Sequence, residues 1–116
     1  MTDREWAAVD ALAQGEWDNF KQRIKAWCRE LQKSESAVFN YEETDGSLTI
    51  RRSSFKVLRV QFQPQVPRIM WECETEVKVK GWITFRLLDG VVSYISEGEP
   101  VDVNAVVRSL MVCLKA

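Results

Sequence analysis

The sequence predicts an α+β domain: a long N-terminal helix, a five- to six-stranded antiparallel meander and a C-terminal helix, with both helices on one face of the sheet. Three observations carry that prediction. Trp6, Val9, Ala13, Trp17, Phe20, Ile24, Trp27 and Leu31 recur at steps of three and four, the spacing of one helical face. Short alternating segments punctuated by turn residues follow, and a second apolar stripe closes the chain.

The first helix spans about residues 3–33 and ends where polar residues replace the stripe, at Gln32 to Ser36. Gly15 interrupts it at a cost of about 1 kcal/mol relative to Ala, but the stripe keeps its phase across that glycine, so one helix is expected. A strand over 38–43 places Phe39 and Tyr41 on one face, and Thr44-Asp45-Gly46-Ser47 has the composition of a turn. Strands over 48–52 and 55–63 follow, separated by a Ser53-Ser54 turn, before Pro64 and Pro67 bracket a connection. From Ile69 to Lys80 apolar and charged residues alternate, which reads as one long strand with one wet face; Gly81 is then expected at a bulge or at the turn into the next strand. Asp89-Gly90 is a favoured two-residue hairpin loop, and centring it there pairs Leu87 with Val92, Phe85 with Tyr94, Ile83 with Ser96 and Arg86 with Ser93. Asp102 is a good N-cap for a last helix reaching Leu114, whose stripe is Val103, Val106, Val107, Leu110 and Leu114.

The 116 residues fit a single α+β domain over 1–116, without repeats, low-complexity tracts or linkers. A hydrophobic share of 46% and a charged share of 28% are those of an ordinary globular protein. A net charge of −1 supplies no global field toward nucleic acid or membrane. Apolar runs are too short for a membrane span, and the polar residues Met1 to Glu5 carry no secretory signal, so a cytoplasmic location is expected. Cys28, Cys73 and Cys113 are odd in number and widely spaced, which predicts buried free thiols.

Catalysis has little to work with. The chain has no histidine for acid–base or metal chemistry. Glu72, Glu74 and Glu76 share one strand face, but three carboxylates from a single strand make a poor cation site and a good solvated surface. No glycine-rich phosphate loop is present. The expectation is a non-enzymatic protein with no catalytic residue, cofactor or metal. Arg51, Arg52, Lys56, Arg59 and Arg68 form an acid-free basic segment. Cross-strand pairing of Arg51 or Arg59 with Glu72 or Glu74 accounts for these bases more simply than nucleic acid does.

The charges of the first helix are sorted by half. Five acids and one base lie between Thr2 and Asp18, and five bases and one acid between Asn19 and Lys33. The helix dipole favours that order but fades within a turn of each end. An antiparallel copy of the same helix would match acid to base as a two-fold interface requires. At about 1.5 Å per residue the helix is also longer than a five-stranded sheet is wide, about 24 Å, so part of its stripe needs a cover. Trp6, Asp10, Glu16, Trp17, Lys21, Lys25 and Arg29 are therefore the candidate self-association residues, and the leading expectation is a homodimeric protein-interaction domain. The alternative is a small apolar-ligand-binding domain using the helix–sheet interior. The element order resembles that of small acidic bacterial adaptors such as secretion chaperones, and of cystatin-like helix-on-sheet folds. No residue role is carried over from either.

Overall fold

The computed structural model describes residues 3–53, 55–88 and 91–115, with side chains over 11–52, 55–86 and 91–115. Helix α1 (Asp3–Glu35) is followed by strands β1 (Asn40–Thr44), β2 (Ser47–Ser53), β3 (Lys56–Gln63), β4 (Arg68–Glu74), β5 (Lys78–Leu88), β6 (Val91–Ser96) and β7 (Glu99–Val101), then by helix α2 (Val103–Met111) and a 3-10 turn, Val112–Leu114. The seven strands form one sheet in chain order, each antiparallel to the next.

The α+β class and the helix–meander–helix order are those the sequence predicts, but the strand count is higher. The extra strand is β7, three residues long with Pro100 inside it. Proline cannot donate to a ladder, so the segment reads as a connection, and an edge strand is where such a residue is tolerated. The alternation from Ile69 to Lys80 is not one strand. It breaks over 75–77, where the Thr75 amide reaches back to the Val77 carbonyl at 2.9 Å. The period-two pattern runs on through this hairpin tip without a glycine or proline to mark it. Gly81 is correspondingly neither bulge nor turn: it lies within β5, paired with Trp71.

The predicted pairs Leu87↔Val92, Arg86↔Ser93 and Phe85↔Tyr94 form, though Asp89 and Gly90 themselves lie outside the described residues, as does Ser54 of the predicted Ser53-Ser54 turn. The ladder's last pair is Thr84↔Ile95, one short of the predicted Ile83–Ser96 pair.

Helix α1 runs unbroken through Gly15. Its 33 residues span about 50 Å, the length of the molecule's long axis, 49 Å. It crosses the sheet face from Tyr94 on β6, whose hydroxyl donates to Glu16, to Arg52 at the end of β2, which pairs with Glu35. On its inner face Ala13, Trp17, Phe20, Ile24 and Cys28 are wholly buried against Leu48, Ile50, Leu58, Ile69 and Ile83. Trp17 anchors this core: its ring stacks on Phe62 with centroids 5.8 Å apart, and its indole N–H donates to the Asp45 carbonyl at 2.8 Å. An aromatic of that size buries well because its single polar atom has found a partner. Helix α2 starts at Asp102, whose carboxylate accepts from the Asn104 amide, and buries Val107, Leu110 and Met111 beside α1 on the same face. Trp71 and Val92, expected in the core, are only partly buried at its margin. No helix among the described residues is long and apolar enough to cross a membrane.

Candidate functional site

The two helices do not cover the sheet equally. Along β4 the inward side chains are Ile69, Trp71, Cys73 and then Thr75 beyond the strand; opposite them on β5 lie Ile83, Gly81 and Val79. Ile69 and Ile83 are buried beneath the helices, whereas Val79 is 51% exposed although it points to the same face. With only nine residues, α2 leaves the hairpin tip uncovered. Between that tip and α2 opens a cleft of about 450 Å³. Its sheet wall is Trp71, Cys73, Thr75, Val79 and Ile83; its helix wall is Val106, Ser109 and Leu110; Val112 and Cys113 of the 3-10 turn close it, and Ser96 and Val101 border its far side.

Gly81 shapes the wall. A Cβ at that position would fall 2.6 Å from the Trp71 indole, well inside van der Waals contact, so only glycine lets the ring lie across β5. Here the missing side chain serves a close approach rather than a turn. The lining contains no charged side chain. Its polar groups are hydroxyls and thiols: the Ser109 hydroxyl donates to the Ala105 carbonyl at 3.0 Å and the Thr75 hydroxyl to the Val77 carbonyl at 3.4 Å, leaving oxygen lone pairs for a ligand. The neighbouring Cys73 thiol lowers the Cys113 thiol pKa, and Cys113 in turn raises that of Cys73, which burial raises further.

The residues predicted for self-association fall elsewhere. The side chains of Trp6 and Asp10 lie outside the described residues. Trp17 has no exposed surface at all, so it offers a second chain nothing. Glu16 accepts from Tyr94, whose phenol pKa is raised, chiefly by burial and then by that carboxylate. Lys21 is only 7% exposed; its ammonium sits 5.2 Å from the Trp17 ring centroid and 3.2 Å from Glu43 on β1. Lys25 pairs with the same carboxylate, and the two lysines hold the Glu43 pKa below the ordinary range, Lys25 foremost. The structure thus brings Trp17 and Lys21 together, and Lys21 and Lys25 onto Glu43 of their own chain. Arg29 is exposed on the helix beside Trp27 and Glu30.

On the outer sheet face Arg59 binds Glu72 at 2.9 Å and Glu74 at 2.8 Å, the cross-strand pairing the sequence suggests, and Lys78 adds a second cation. Among the described residues no group of three or more His, Cys, Asp or Glu could hold a metal ion. Tyr41, expected to face inward, does so: it pairs with the buried Ile50 and its side chain meets Cys28 of α1, although on the edge strand β1 it stays 42% exposed. Sequence reasoning missed the cleft. Its one sequence signal is Gly81 in an alternating segment, which marks a close approach of the Trp71 ring rather than the expected bulge or turn. Compared with protein-family models, curated proteins and solved structures, the chain finds no match in any of the three.

Proposed function

We propose that the protein is a non-enzymatic binding domain that takes a small, uncharged apolar ligand in the cleft between α2 and the β4–β5 hairpin. One observation carries this reading: an open concavity of about 450 Å³ whose lining is apolar, free of charge and supplied with a few hydroxyls. Ligand sites are usually mostly apolar concavities of about 300–1,000 Å³ with a small number of polar groups that fix orientation. A carboxylate or phosphate would find no counter-charge in this lining and would lose its hydration on entry, so the buried part of the ligand is neutral. Self-association through α1 would have to proceed without Trp17 and with Lys21 and Lys25 already engaged by Glu43.

The test is titration of the reduced protein with a neutral apolar dye. Saturable one-site binding is expected, with quenching of tryptophan fluorescence that Trp71→Phe largely removes, and a ligand-dependent rise in melting temperature. Gly81→Ala should weaken the dye by displacing the Trp71 ring while the protein remains folded. Absence of saturable binding, or binding unchanged in both variants, would overturn the reading. Native mass spectrometry of the same sample reads the oligomeric state and any co-purified ligand.

A further inference from the structure

The cleft floor holds a pair of thiols that apolar packing does not require. Cys73 projects from β4 and Cys113 from the 3-10 turn, and both line the cleft. The Cys113 thiol also donates to the Val57 carbonyl at 3.2 Å, with the Glu74 carbonyl 4.0 Å away, and the Cys73 sulfur lies 4.0 Å from the Leu110 carbonyl. The pair bridges the sheet and the chain's last turn. Each sulfur thus lies against backbone within three residues of the other cysteine, and two thiols so placed are joined by loss of two electrons once their Cβ atoms come within about 3.5–4.5 Å. Cys28 offers the contrast. It is buried on the inner face of α1, outside the cleft lining, and its thiol is pushed up to about 11, chiefly by burial.

Which oxidant fits follows from the walls. The approach to the sulfurs is apolar and without charge, so a neutral molecule with a hydrocarbon body is held there and a small polar one is not. We propose that Cys73 and Cys113 form a redox-active dithiol at the cleft floor that reduces an apolar organic hydroperoxide to its alcohol, once per chain, and becomes a disulfide. The choice of oxidant rests on the apolar-ligand reading of the cleft; the pairing of the thiols does not.

Cys113, ionised more easily because the Cys73 thiol can donate to it, attacks the terminal peroxide oxygen as the thiolate, the reactive form of cysteine. The O–O bond breaks, its electron pair leaves on the alkyl-bearing oxygen, and that oxygen takes up the proton Cys113 released, giving the alcohol. Cys113 is then a sulfenic acid. The Cys73 sulfur attacks the sulfenic sulfur; the S–S bond forms, the S–O bond breaks, and the departing hydroxide leaves with the Cys73 proton as water. One hydroperoxide and two thiols become one alcohol, one water and one disulfide, with two electrons passing from the sulfurs to the peroxide.

The experiment exposes the reduced full-length chain to cumene hydroperoxide or to hydrogen peroxide, measuring cumyl alcohol, free thiols and disulfide position by peptide mass spectrometry. The expected result is one alcohol per chain, a Cys73–Cys113 disulfide and a reduced Cys28, with the organic peroxide reacting at least about tenfold faster because part of its hydrocarbon is buried during reaction. Cys113→Ser should abolish alcohol formation. Cys73→Ser should retain it and leave a sulfenic acid on Cys113 that dimedone traps, and Cys28→Ser should behave as the parent. Equal rates with the two peroxides, a disulfide involving Cys28, or overoxidation of Cys113 without a disulfide would each overturn the proposal. Dye binding by a protein that forms no Cys73–Cys113 disulfide would sink the dithiol and leave the cleft reading standing. A Cys73–Cys113 disulfide formed without peroxide preference in a protein that binds no dye would overturn the cleft reading and the oxidant proposed with it, leaving only the pairing of the thiols.

Discussion

Val60 and Val79 point to the same face of the same sheet, yet one is 2% exposed and the other 51%. Val60 sits on β3 in the core that α1 crosses; Val79 sits near the tip of the β4–β5 hairpin, beyond the reach of α2. The residue type and strand patterning are alike, so the difference is one of cover. A 33-residue helix with an aromatic stripe seals its part of the sheet, and a nine-residue helix leaves the rest as one wall of a cleft. Stability and binding are therefore expected to separate in space, with the sealed part dominating folding and the open part presenting apolar surface at small energetic benefit.

The largest effect should come from the sealed part. Trp17→Ala removes the ring stacked on Phe62, leaves the Asp45 carbonyl without its indole donor and takes the aromatic face from Lys21. A loss of about 3–5 kcal/mol is expected in urea denaturation. A loss near 1 kcal/mol would mean that the core under α1 is not the main source of stability. Leu110→Ala comes next, because Leu110 belongs to both regions: it is 4% exposed in the core and lines the cleft. Its truncation should cost about 2–5 kcal/mol and also enlarge the cleft inward, so dye affinity should change with stability. A change in one without the other would show that the two regions do not meet at this side chain.

Much of this comparison could be read from the chain itself, and the rest could not for identifiable reasons. The stripe from Ala13 to Leu31 and the pairing of Phe85 with Tyr94 follow from period and turn chemistry, which are local properties. The break at Thr75–Val77 is hidden because those residues continue the alternation and include no turn former. The cleft depends on where α2 stops relative to the hairpin tip, a relation between elements distant in sequence. The same holds for the Cys73–Cys113 contact, which brings β4 to the chain's last turn. Charge sorting along α1 was visible, but its partner was not: Glu43 lies on a strand whose position over the helix only the sheet topology determines.

Acid should separate the two regions more gently. The Glu43 carboxyl is held below its ordinary value of 4.5, first by its hydrogen bond to Lys25 and then by Lys21 against opposing burial; Glu74, beside the hairpin, is lowered first by Arg59. A carboxylate whose folded pKa is depressed contributes stability that is present above its unfolded pKa and lost as pH falls through the folded one. Denaturation midpoints should therefore fall as pH drops below about 4.5. Glu43→Gln should flatten that slope more than Glu74→Gln, because Glu43 meets the nearly buried Lys21 whereas Arg59, the partner of Glu74, is exposed to screening by water. Equal flattening would mean that burial of Lys21 adds nothing to the pair.

The smallest stability effect is the most informative about function. Val79→Ala removes two methyl groups from a side chain that is half exposed, so little of their surface is withdrawn from water on folding. The change in folding free energy should stay within about 0.5 kcal/mol, as for a surface substitution. Val60→Ala, the same substitution under cover on the same sheet face, should cost several times more, about 1.5–3 kcal/mol, because its methyl groups are wholly buried and leave a gap. Ligand binding should rank the two valines in the opposite order. Val79 forms part of the sheet wall of the cleft, opposite Cys73, and an apolar ligand would bury what the fold leaves open. Val79→Ala should then weaken dye binding about threefold or more, the loss expected from about one methylene equivalent of buried contact, while Val60→Ala leaves dye affinity unchanged in the fraction that remains folded. If Val79→Ala proves as costly to folding as Val60→Ala, the hairpin tip is covered in solution and the cleft is closed there. If neither substitution alters dye binding, the exposed valine is surface without a ligand, and the contrast between the two valines reports only where α2 ends.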